Sequence, residues 1–335
     1  VVGIGNAMVD VLASADDAFL AAHELTKGGM TLVGPEQAVG IQEAMGSVVE
    51  VSGGSVGNTI AGVASLGGTG SFIGKVRDDK LGEVFTKGLE SLGISFSTVP
   101  ALQGSPTGRC LVIVPPDGQR SMATYLGACV ELGPEDIDSD TISRHQVTYL
   151  EGYLWDAPRA KEAMLKAARL AHESGRQVAL TLSDALCVDR HRDSFRDLIL
   201  NHVDVLFANE HEIMSLYQAD NVFEAITQGS SDCELVVVTR NAEGSLVISG
   251  ENIHRVEAVP VERVIDTTGA GDLYAAGFLF GITHGYQVLE CGRIGSIAAG
   301  EIIRHFGARP EEELQMLLDR NIEAGAFRHT SLWTV

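Results

Sequence analysis

The chain has 335 residues, of which 45% are hydrophobic and only 6% aromatic, and its 45 acidic and 24 basic side chains give a formal charge of −21. This length is large for one core, so we expect one large domain with an excursion, or two domains. The negative charge argues against nucleic acid or an anionic membrane surface as the main partner, because both require a positive surface.

Cysteine usage and hydropathy indicate the compartment. The five cysteines are scattered without a C-x-x-C pair, which favours free thiols in a reducing compartment. No run approaches the roughly 20 apolar residues of a membrane span, and no leader-like segment is recognisable. The sequence therefore predicts a soluble cytoplasmic protein.

Short apolar runs alternate with amphipathic segments along most of the chain. The predicted strands include VVGIG, SFIGKV, VTYLEG, QVALTLS, VDVLFAN and ELVVVT. The predicted helices between them include TIAGVASLG, LGEVFTKGLESLG, RAKEAMLKAARLAHESG, a stretch from about Asp193, and EHEIMSLYQ. This alternation predicts βαβ units and a mostly parallel sheet with helices on both faces.

Two segments break the alternation. GRCLVIVPPDGQRSMATYLGA contains two extended stretches around a Pro-Asp-Gly turn, which predicts a hairpin. The section from about Val11 to Val51 has short strand-like pieces, TLVG and VVEV, separated by polar connectors. We expect the two segments to form a small β layer over the sheet edge, which is a candidate lid.

The stretch GGSVGN at residues 53–58 has two interpretations. It matches the G-x-S-x-G pattern of a hydrolase nucleophile elbow and lies between an apolar run and a helix-like stretch. Ser55 could then be a nucleophile. Alternatively, the glycines and Asn58 hold a ligand.

The strongest local signal is VIDTTGAGDLYAAGFLFGI, residues 264–282. Its two glycines precede a long apolar helix, so they place free backbone amides and the positive end of the helix dipole at one point, which suits a phosphate. Asp272 in the first turn could accept a proton from a hydroxyl that attacks phosphorus. Otherwise it is a plain acidic residue that favours the dipole.

Other phosphate-binding motifs do not match. Gly74-Lys75 is followed by Val76 and lacks the earlier glycine of a P-loop. The opening GIGNAM has Met8 where the dinucleotide-binding pattern requires its third glycine.

These motifs together resemble the ribokinase-like (PfkB-type) carbohydrate kinases. DTTGAGD before a Gly/Ala-rich helix is similar to one signature of that family, and GGSVGNTIAGVASLG is similar to the other. Within the family the resemblance is closest to adenosine kinases, and it extends over nearly the whole chain. Further segments match in the same order: GNAMVD, DDAFL, TLVG, FIGKVRDDKLGEVF, TLSDALC, FANEHE and GSIAAGEIIRHFG.

The resemblance implies one ribokinase-like α/β domain over residues 1–335, with a β lid from parts of about 11–51 and 96–127. It implies transfer of the ATP γ-phosphate to a hydroxymethyl group of a ribosyl substrate, with adenosine converted to AMP. A ribokinase or another sugar or nucleoside kinase is the alternative. A Ser55 hydrolase and a non-catalytic binding protein are more remote alternatives.

The resemblance also implies roles around the transferred phosphate. Asp272 matches the catalytic base, and the amides of Gly269, Ala270 and Gly271 match the anion hole. Arg120 matches a lid arginine that approaches the phosphates.

For the acceptor, the resemblance implies a polar pocket. Asn6 and Asp10 match positions that bind sugar hydroxyls, which suits an amide and a carboxylate. Gly53, Gly54 and Asn58 match the substrate clasp, in which Ser55 contributes its amide.

For the nucleotide and metals, the implied positions lie later in the chain. Glu212 in the N-x-x-E segment matches a residue that binds Mg²⁺ through water. Asp266 and Thr268 match the site of a monovalent cation such as K⁺. The implied ATP-binding residues are Asn209, Thr239, Gly244, Ala298 and Ile302.

One departure bears on the acceptor. Adenosine kinases tend to have Asn-Asp-Gln before the strand TLVG, and this chain has Gly28-Gly29-Met30. A different nucleoside or a plain pentose therefore stays open. We expect no nucleic-acid or membrane partner, and either a monomer or a homodimer formed through the lid.

Overall fold

The computed structural model describes residues 1–115 and 120–323. Its strands are β1 (Val2–Ile4), β2 (Met8–Ser14), β3 (Met30–Leu32), β4 (Val49–Gly53), β5 (Ser71–Ile73), β6 (Ser95–Phe96), β7 (Gly108–Val114), β8 (Ser121–Tyr125), β9 (Val147–Glu151), β10 (Gln177–Thr181), β11 (Val205–Asn209), β12 (Leu235–Thr239), β13 (Ser245–Ser249) and β14 (Asn252–Val256). Its α-helices are α1 (Asp17–Ala22), α2 (Pro35–Ala44), α3 (Ser55–Ser65), α4 (Lys80–Glu90), α5 (Ser139–Arg144), α6 (Pro158–Glu173), α7 (Ala185–His202), α8 (Glu210–Tyr217), α9 (Val222–Asp232), α10 (Ala270–Thr283), α11 (Val288–Ile302) and α12 (Leu314–Glu323).

The large sheet has nine strands in the order β14-β13-β12-β11-β10-β9-β1-β5-β6. The seven strands from β12 to β6 pair in parallel, and β13 and β14 add antiparallel strands at one edge. Buried residues form two large clusters, as expected for a sheet with helices on both faces, and a small third cluster that includes Met8 and Cys110 of the second sheet. The prediction of a mostly parallel α/β sheet is confirmed.

A second, smaller sheet has the order β3-β8-β7-β2-β4. Strands β7 and β8 form the predicted antiparallel hairpin, although its Pro-Asp-Gly turn lies outside the described residues. The outer strands β3 and β4 expose Leu32 (56%) and Val49 (64%). A homodimer formed through this sheet stays a prediction.

Three segments differ from the sequence predictions. The polar connectors between Val11 and Val51 form helices α1 and α2, each with an acidic first turn. Helix α7 starts at Ala185, eight residues before the predicted start, and His191 has non-helical dihedral angles inside it, which disturbs the apolar periodicity. Helix α9 was not predicted.

Helix α10 is positioned by close packing against α11. A Cβ at Gly277 would lie 2.6 Å from the Ile294 carbonyl, and one at Gly295 would lie 2.7 Å from the Tyr274 carbonyl. The backbones therefore approach only because both positions lack a side chain. Within the described ranges, no helix is both long and apolar enough to cross a bilayer.

Candidate active site

The N-terminus of α10 is the candidate anion-binding turn. Gly269 precedes the helix with a φ of 79°, and a Cβ there would lie 2.9 Å from the Ala308 side chain. Gly271 is exposed, and a Cβ there would meet no atom within 4 Å. The amide of Ala270, which was predicted to join the anion hole, instead donates to the Thr267 carbonyl at 3.2 Å.

Asp272 in the first turn of α10 is held by two residues from the beginning of α3. The Ser55 hydroxyl donates to Oδ1 at 2.6 Å, and the Asn58 side-chain amide donates to Oδ2 at 3.0 Å. Each carboxylate oxygen therefore has one donor and keeps lone pairs for a further one. This arrangement fixes the carboxylate at the helix N-terminus and leaves it able to accept a proton.

Burial raises the pKa of Asp272, while the hydrogen bonds from Ser55 and Asn58 and the charge of Arg309 lower it. The hydrogen bonds from Ser55 and Asn58 thus oppose the effect of burial on this pKa and favour the ionised form of Asp272. Asn58 keeps a further capacity, since its buried side-chain oxygen has no partner among the described residues. That oxygen can accept from a ligand hydroxyl.

The clasp, residues 53–58, is a tight turn from β4 into α3. Gly54 has a φ of 86°, a conformation that residues with a side chain rarely adopt, and a Cβ there would collide with the Asn6 carbonyl. A Cβ at Gly53 would collide with the Asp10 carboxylate. The glycines are therefore required because Asn6 and Asp10 pack directly on the turn.

Asp10 lies in the middle of β2, where it pairs with Val51 of β4 and Cys110 of β7. Burial raises its pKa to about 6, the charges of Arg309 and Arg120 lower it, and the charge of Asp272 raises it. The charges of Asp10 on the small sheet and Asp272 on α10 therefore interact.

Asn6 is fixed by Glu151, which the sequence analysis did not select. The Glu151 carboxylate accepts from the Asn6 side chain at 2.6 Å, from the Asn6 amide at 3.2 Å and from the Val56 amide at 3.1 Å. It is 1% exposed, and burial raises its pKa to about 7. An acidic residue at the end of the apolar run VTYLEG was the signal that could have identified it.

Arg120 pairs with Asp266, and both side chains are almost fully buried. The distance from Nη1 to Oδ2 is 2.6 Å, and the same oxygen accepts from the Gly307 amide at 3.0 Å. The other oxygen accepts from the Thr268 amide at 3.0 Å and hydroxyl at 2.8 Å. Arg120 therefore already supplies a positive charge at the carboxylate predicted to bind a monovalent cation, so the donor set does not fit that ion while the pair persists.

Arg309 is a second residue that the sequence analysis missed. It follows α11 and donates to the Ser52 carbonyl at 2.7 Å and to the Gly57 carbonyl at 2.7 Å, on either side of the clasp. Nothing in the local sequence around Arg309 signals this role, because its partners lie about 250 residues away.

Asn209 and Glu212 form a capping box at the start of α8. The Asn209 oxygen accepts from the Glu212 amide at 2.9 Å, and the Glu212 carboxylate accepts from the Asn209 amide and side chain at 2.9 and 2.7 Å. Burial raises the pKa of Glu212 to about 7. Within the described ranges, no three His, Cys, Asp or Glu side chains converge as metal ligands, so the residues fit Mg²⁺ only as an ion that keeps its waters.

Thr239 and Gly244 border the same edge of the sheet. The register pairs Thr239 with Asn209 at the C-terminal ends of β12 and β11, the edge where open α/β sheets bind ligands. Gly244 has a φ of 80°, and a Cβ there would collide with the Val256 carbonyl. The β12–β13 connection therefore requires this glycine for steric reasons.

Two residues predicted to bind adenine lack an accessible surface. Ala298 and Ile302 are 1% and 0% exposed and belong to the core. Ala299 and Ile303, the residue that follows α11, are partly exposed. The sequence could not show that Ala298 and Ile302 are buried, because α11 is apolar on most of its faces.

A carboxylate held at a helix N-terminus, beside a glycine clasp and a polar pocket, is the arrangement of a phosphotransferase with an alcohol group as acceptor. The pfkB family carbohydrate kinase model matches residues 29–314. The chain therefore belongs to the pfkB family of carbohydrate kinases, and the prediction from the two signatures is confirmed.

Three known proteins illustrate the similarity. A solved structure of adenosine kinase from Sinorhizobium meliloti is 49% identical over 95% of this chain and 98% of its own, with a TM-score of 0.89. A probable sugar kinase from Rhizobium etli CFN 42 is 45% identical over 97% of this chain and 98% of its own, with a TM-score of 0.90. A 5-dehydro-2-deoxygluconokinase from Clostridium perfringens is 26% identical over 75% of this chain and 78% of its own length.

Proposed function

We propose that the protein transfers the γ-phosphate of ATP to the hydroxymethyl group of a ribosyl substrate, and that it converts adenosine to AMP. The observation that carries this proposal is the Asp272 carboxylate, which Ser55 and Asn58 fix at the N-terminus of α10. The similarity to the Sinorhizobium meliloti adenosine kinase favours adenosine among the ribosyl acceptors.

In the proposed reaction, the acceptor hydroxyl oxygen attacks the γ-phosphorus and the bond from phosphorus to the β–γ bridging oxygen breaks. Asp272 takes the hydroxyl proton, and ADP leaves. The amides of Gly269 and Gly271 at the helix N-terminus offset the negative charge on the transferred group. Ser55 and Asn58 orient the base. The Ser55 hydroxyl therefore acts as a hydrogen-bond donor to Asp272 rather than as a nucleophile.

The ribosyl part of the substrate would lie between Asp10, Asn6 and the clasp. The Asp10 carboxylate suits two neighbouring hydroxyls, and the Asn58 oxygen offers an acceptor for a third donor. Arg120 is placed to exchange Asp266 for a phosphate oxygen, since a guanidinium binds either group.

Mg²⁺ would be held through its waters near Glu212, and it supplies charge neutralisation on the phosphates of ATP. Burial, and to a smaller extent the charge of Asp184, raises the pKa of Glu212, and a hydrated cation nearby would favour its ionised form. A monovalent cation at Asp266 and Thr268 would have to displace Arg120.

A sugar kinase is the second candidate, and one observation favours it. Gly28, Gly29 and Met30 stand where adenosine kinases tend to carry polar side chains, and Met30 begins β3. That strand is three positions from β2 in the small sheet, roughly 14 Å from the Asp10 strand. The replacement of polar residues by Gly28, Gly29 and Met30 would therefore affect recognition of a group beyond the ribose rather than of the ribose itself.

An acceptor screen tests the proposal. Purified protein with ATP and Mg²⁺ is offered adenosine, inosine, guanosine, ribose, fructose or 2-keto-3-deoxygluconate, and the phosphorylated product is identified by mass. We expect AMP from adenosine at the highest kcat/KM, and no ATP consumption without an acceptor. Phosphorylation of a free sugar alone would replace the proposed substrate, and ester cleavage abolished by Ser55→Ala would replace the proposed reaction.

A further inference from the structure

Arg309 lies at the junction of the two halves of the active site. It belongs to the stretch Gly307 to Arg309, which lies within the connection from α11 to α12, residues 303–313. The Gly307 amide donates to Asp266, and Ala308 packs against Gly269. Arg309 extends from there to the clasp, so three consecutive residues contact the phosphate side and the acceptor side.

The guanidinium of Arg309 donates four hydrogen bonds to Ser52, the residue before the clasp, and to Gly57 within it. Nη2 and Nε donate to the Ser52 carbonyl at 2.7 and 3.2 Å, Nη1 donates to the Gly57 carbonyl at 2.7 Å, and Nη2 also donates to the Ser52 hydroxyl at 3.3 Å. These contacts join the last residues of β4 to the first turn of α3. None of these four bonds is to a carboxylate.

That charge is nevertheless shared by two carboxylates. Arg309 interacts electrostatically with Asp10 on β2 and with Asp272 on α10. The clasp lies against both carboxylates, since a Cβ at Gly53 would lie 2.4 Å from the Asp10 carboxylate and Asn58 donates to Asp272 at 3.0 Å. Each of the two negative charges disfavours ionisation of the other carboxyl group. The nearby charge of Arg309 offsets this effect, at the cost of its own desolvation, which lowers the pKa of Arg309 to about 10.

We infer that Arg309 is a positioning residue for the transfer step. Its guanidinium fixes the backbone of the clasp and supplies a positive charge next to the two carboxylates that the clasp contacts, Asp10 and Asp272. This inference rests on the proposed function, because it assigns Arg309 to the same site. The mechanism above uses Asp272 as the base. The inference adds that Asp272 requires the positive charge of Arg309, which follows α11.

Other charged groups face Asp272 and must be considered. Asp10 approaches from β2, and Arg120 from the small sheet acts on Asp10. Tyr149, Glu151 and Tyr153 interact with Asp272 from β9 and the turn that follows it. Apart from Arg120, which is committed to Asp266, these groups are acidic or neutral, so Arg309 is the cation that acts on Asp272 directly.

The test compares Arg309→Gln and Arg309→Met, which remove the charge, with Arg309→Lys, which keeps it. Gln and Met differ in polarity, so if one of these two variants does not fold, the other can still be measured. Arg169→Gln, an exposed arginine on α6, is the matched control for loss of one charge. Two readouts are used: the pH dependence of kcat/KM, and titration of ¹³C-labelled aspartate followed by NMR, with the Asp272 signal assigned from Asp272→Asn.

We expect the acid limb of kcat/KM and the Asp272 titration to move up by about one pH unit in the neutral variants. Arg309→Lys and Arg169→Gln should keep both near the wild-type position. An unchanged titration in a folded neutral variant, or an equal shift in Arg309→Lys, would overturn the inference. The NMR readout needs no turnover, so an inactive wild-type protein would refute the proposed function while Arg309 is still tested.

Discussion

Two regions of the molecule contain the predicted site residues, and they differ in how those residues are held. In the Asp272 centre, formed by Asp272, Ser55, Asn58 and Asp10, the side chains of Ser55 and Asn58 bond to Asp272, more than 200 residues further along the chain. At the nucleotide edge, formed by Asn209, Glu212, Thr239 and Gly244, Asn209 and Glu212 bond to each other within one turn, and Gly244 serves a steric need. Among the described residues, the Thr239 hydroxyl donates only to the Ala208 carbonyl of the neighbouring strand, at 3.5 Å. Side-chain bonds between distant elements therefore distinguish the Asp272 centre from the nucleotide edge.

The largest expected effect follows from removing the base. Asp272→Asn should lower kcat by about 10²–10⁴-fold, the usual loss for a general base, because the amide keeps the shape but cannot take the proton. Nucleotide affinity should stay close to the wild-type value. Steady-state kinetics and nucleotide titration measure both quantities, and Asp319→Asn on the exposed part of α12 is the control. Near-normal turnover in Asp272→Asn would show that Asp272 is not the general base and that the Asp272 centre has only a structural role.

Ser55→Ala should have an intermediate effect. The Ser55 hydroxyl lowers the pKa of Asp272 against the effect of burial, so its loss raises that pKa further. Since the base acts when ionised, the acid limb of the kcat/KM profile should move to higher pH by about one unit. Activity at alkaline pH should be largely kept. Complete loss at every pH would argue that Ser55 does more than orient the base.

The smallest effect on turnover is expected at the nucleotide edge. Burial raises the pKa of Glu212 from its ordinary value of 4.5 to about 7, so ionisation in the folded state is unfavourable. Its contribution to stability is therefore complete below about pH 4.5 and is lost as the pH rises towards 7. Glu212→Gln should remove this dependence, worth about 1–3 kcal/mol, and change kcat by less than about threefold.

Urea denaturation of both proteins between pH 4.5 and 8 measures the effect. A parallel loss of stability in Glu212→Gln would show that another group is responsible. A fall in kcat of tenfold or more that excess Mg²⁺ reverses would instead show that Glu212 contributes more to the metal than an indirect contact through water, and would weaken the contrast between the two regions.

The sequence predicted the parts of this site that are local. A Gly-x-Gly-Asp pattern before an apolar helix identifies the helix N-terminus and its acid, and the Gly-Gly pair identifies the clasp. The bond between Ser55 and Asp272 joins residues 217 positions apart, and Arg309 acts over a similar separation, so no window of sequence contains them. The burial of Ala298 and Ile302 could not be read from the sequence of α11, because buried residues occur on most of its circumference.

The most direct test is a crystal structure with an acceptor nucleoside and a non-hydrolysable ATP analogue bound together. The account predicts that the hydroxymethyl oxygen lies within about 3.2 Å of an Asp272 carboxylate oxygen, with the terminal phosphate in front of the Gly271 amide. A hydroxymethyl group pointing away from Asp272, with that carboxylate still occupied only by Ser55 and Asn58, would contradict it.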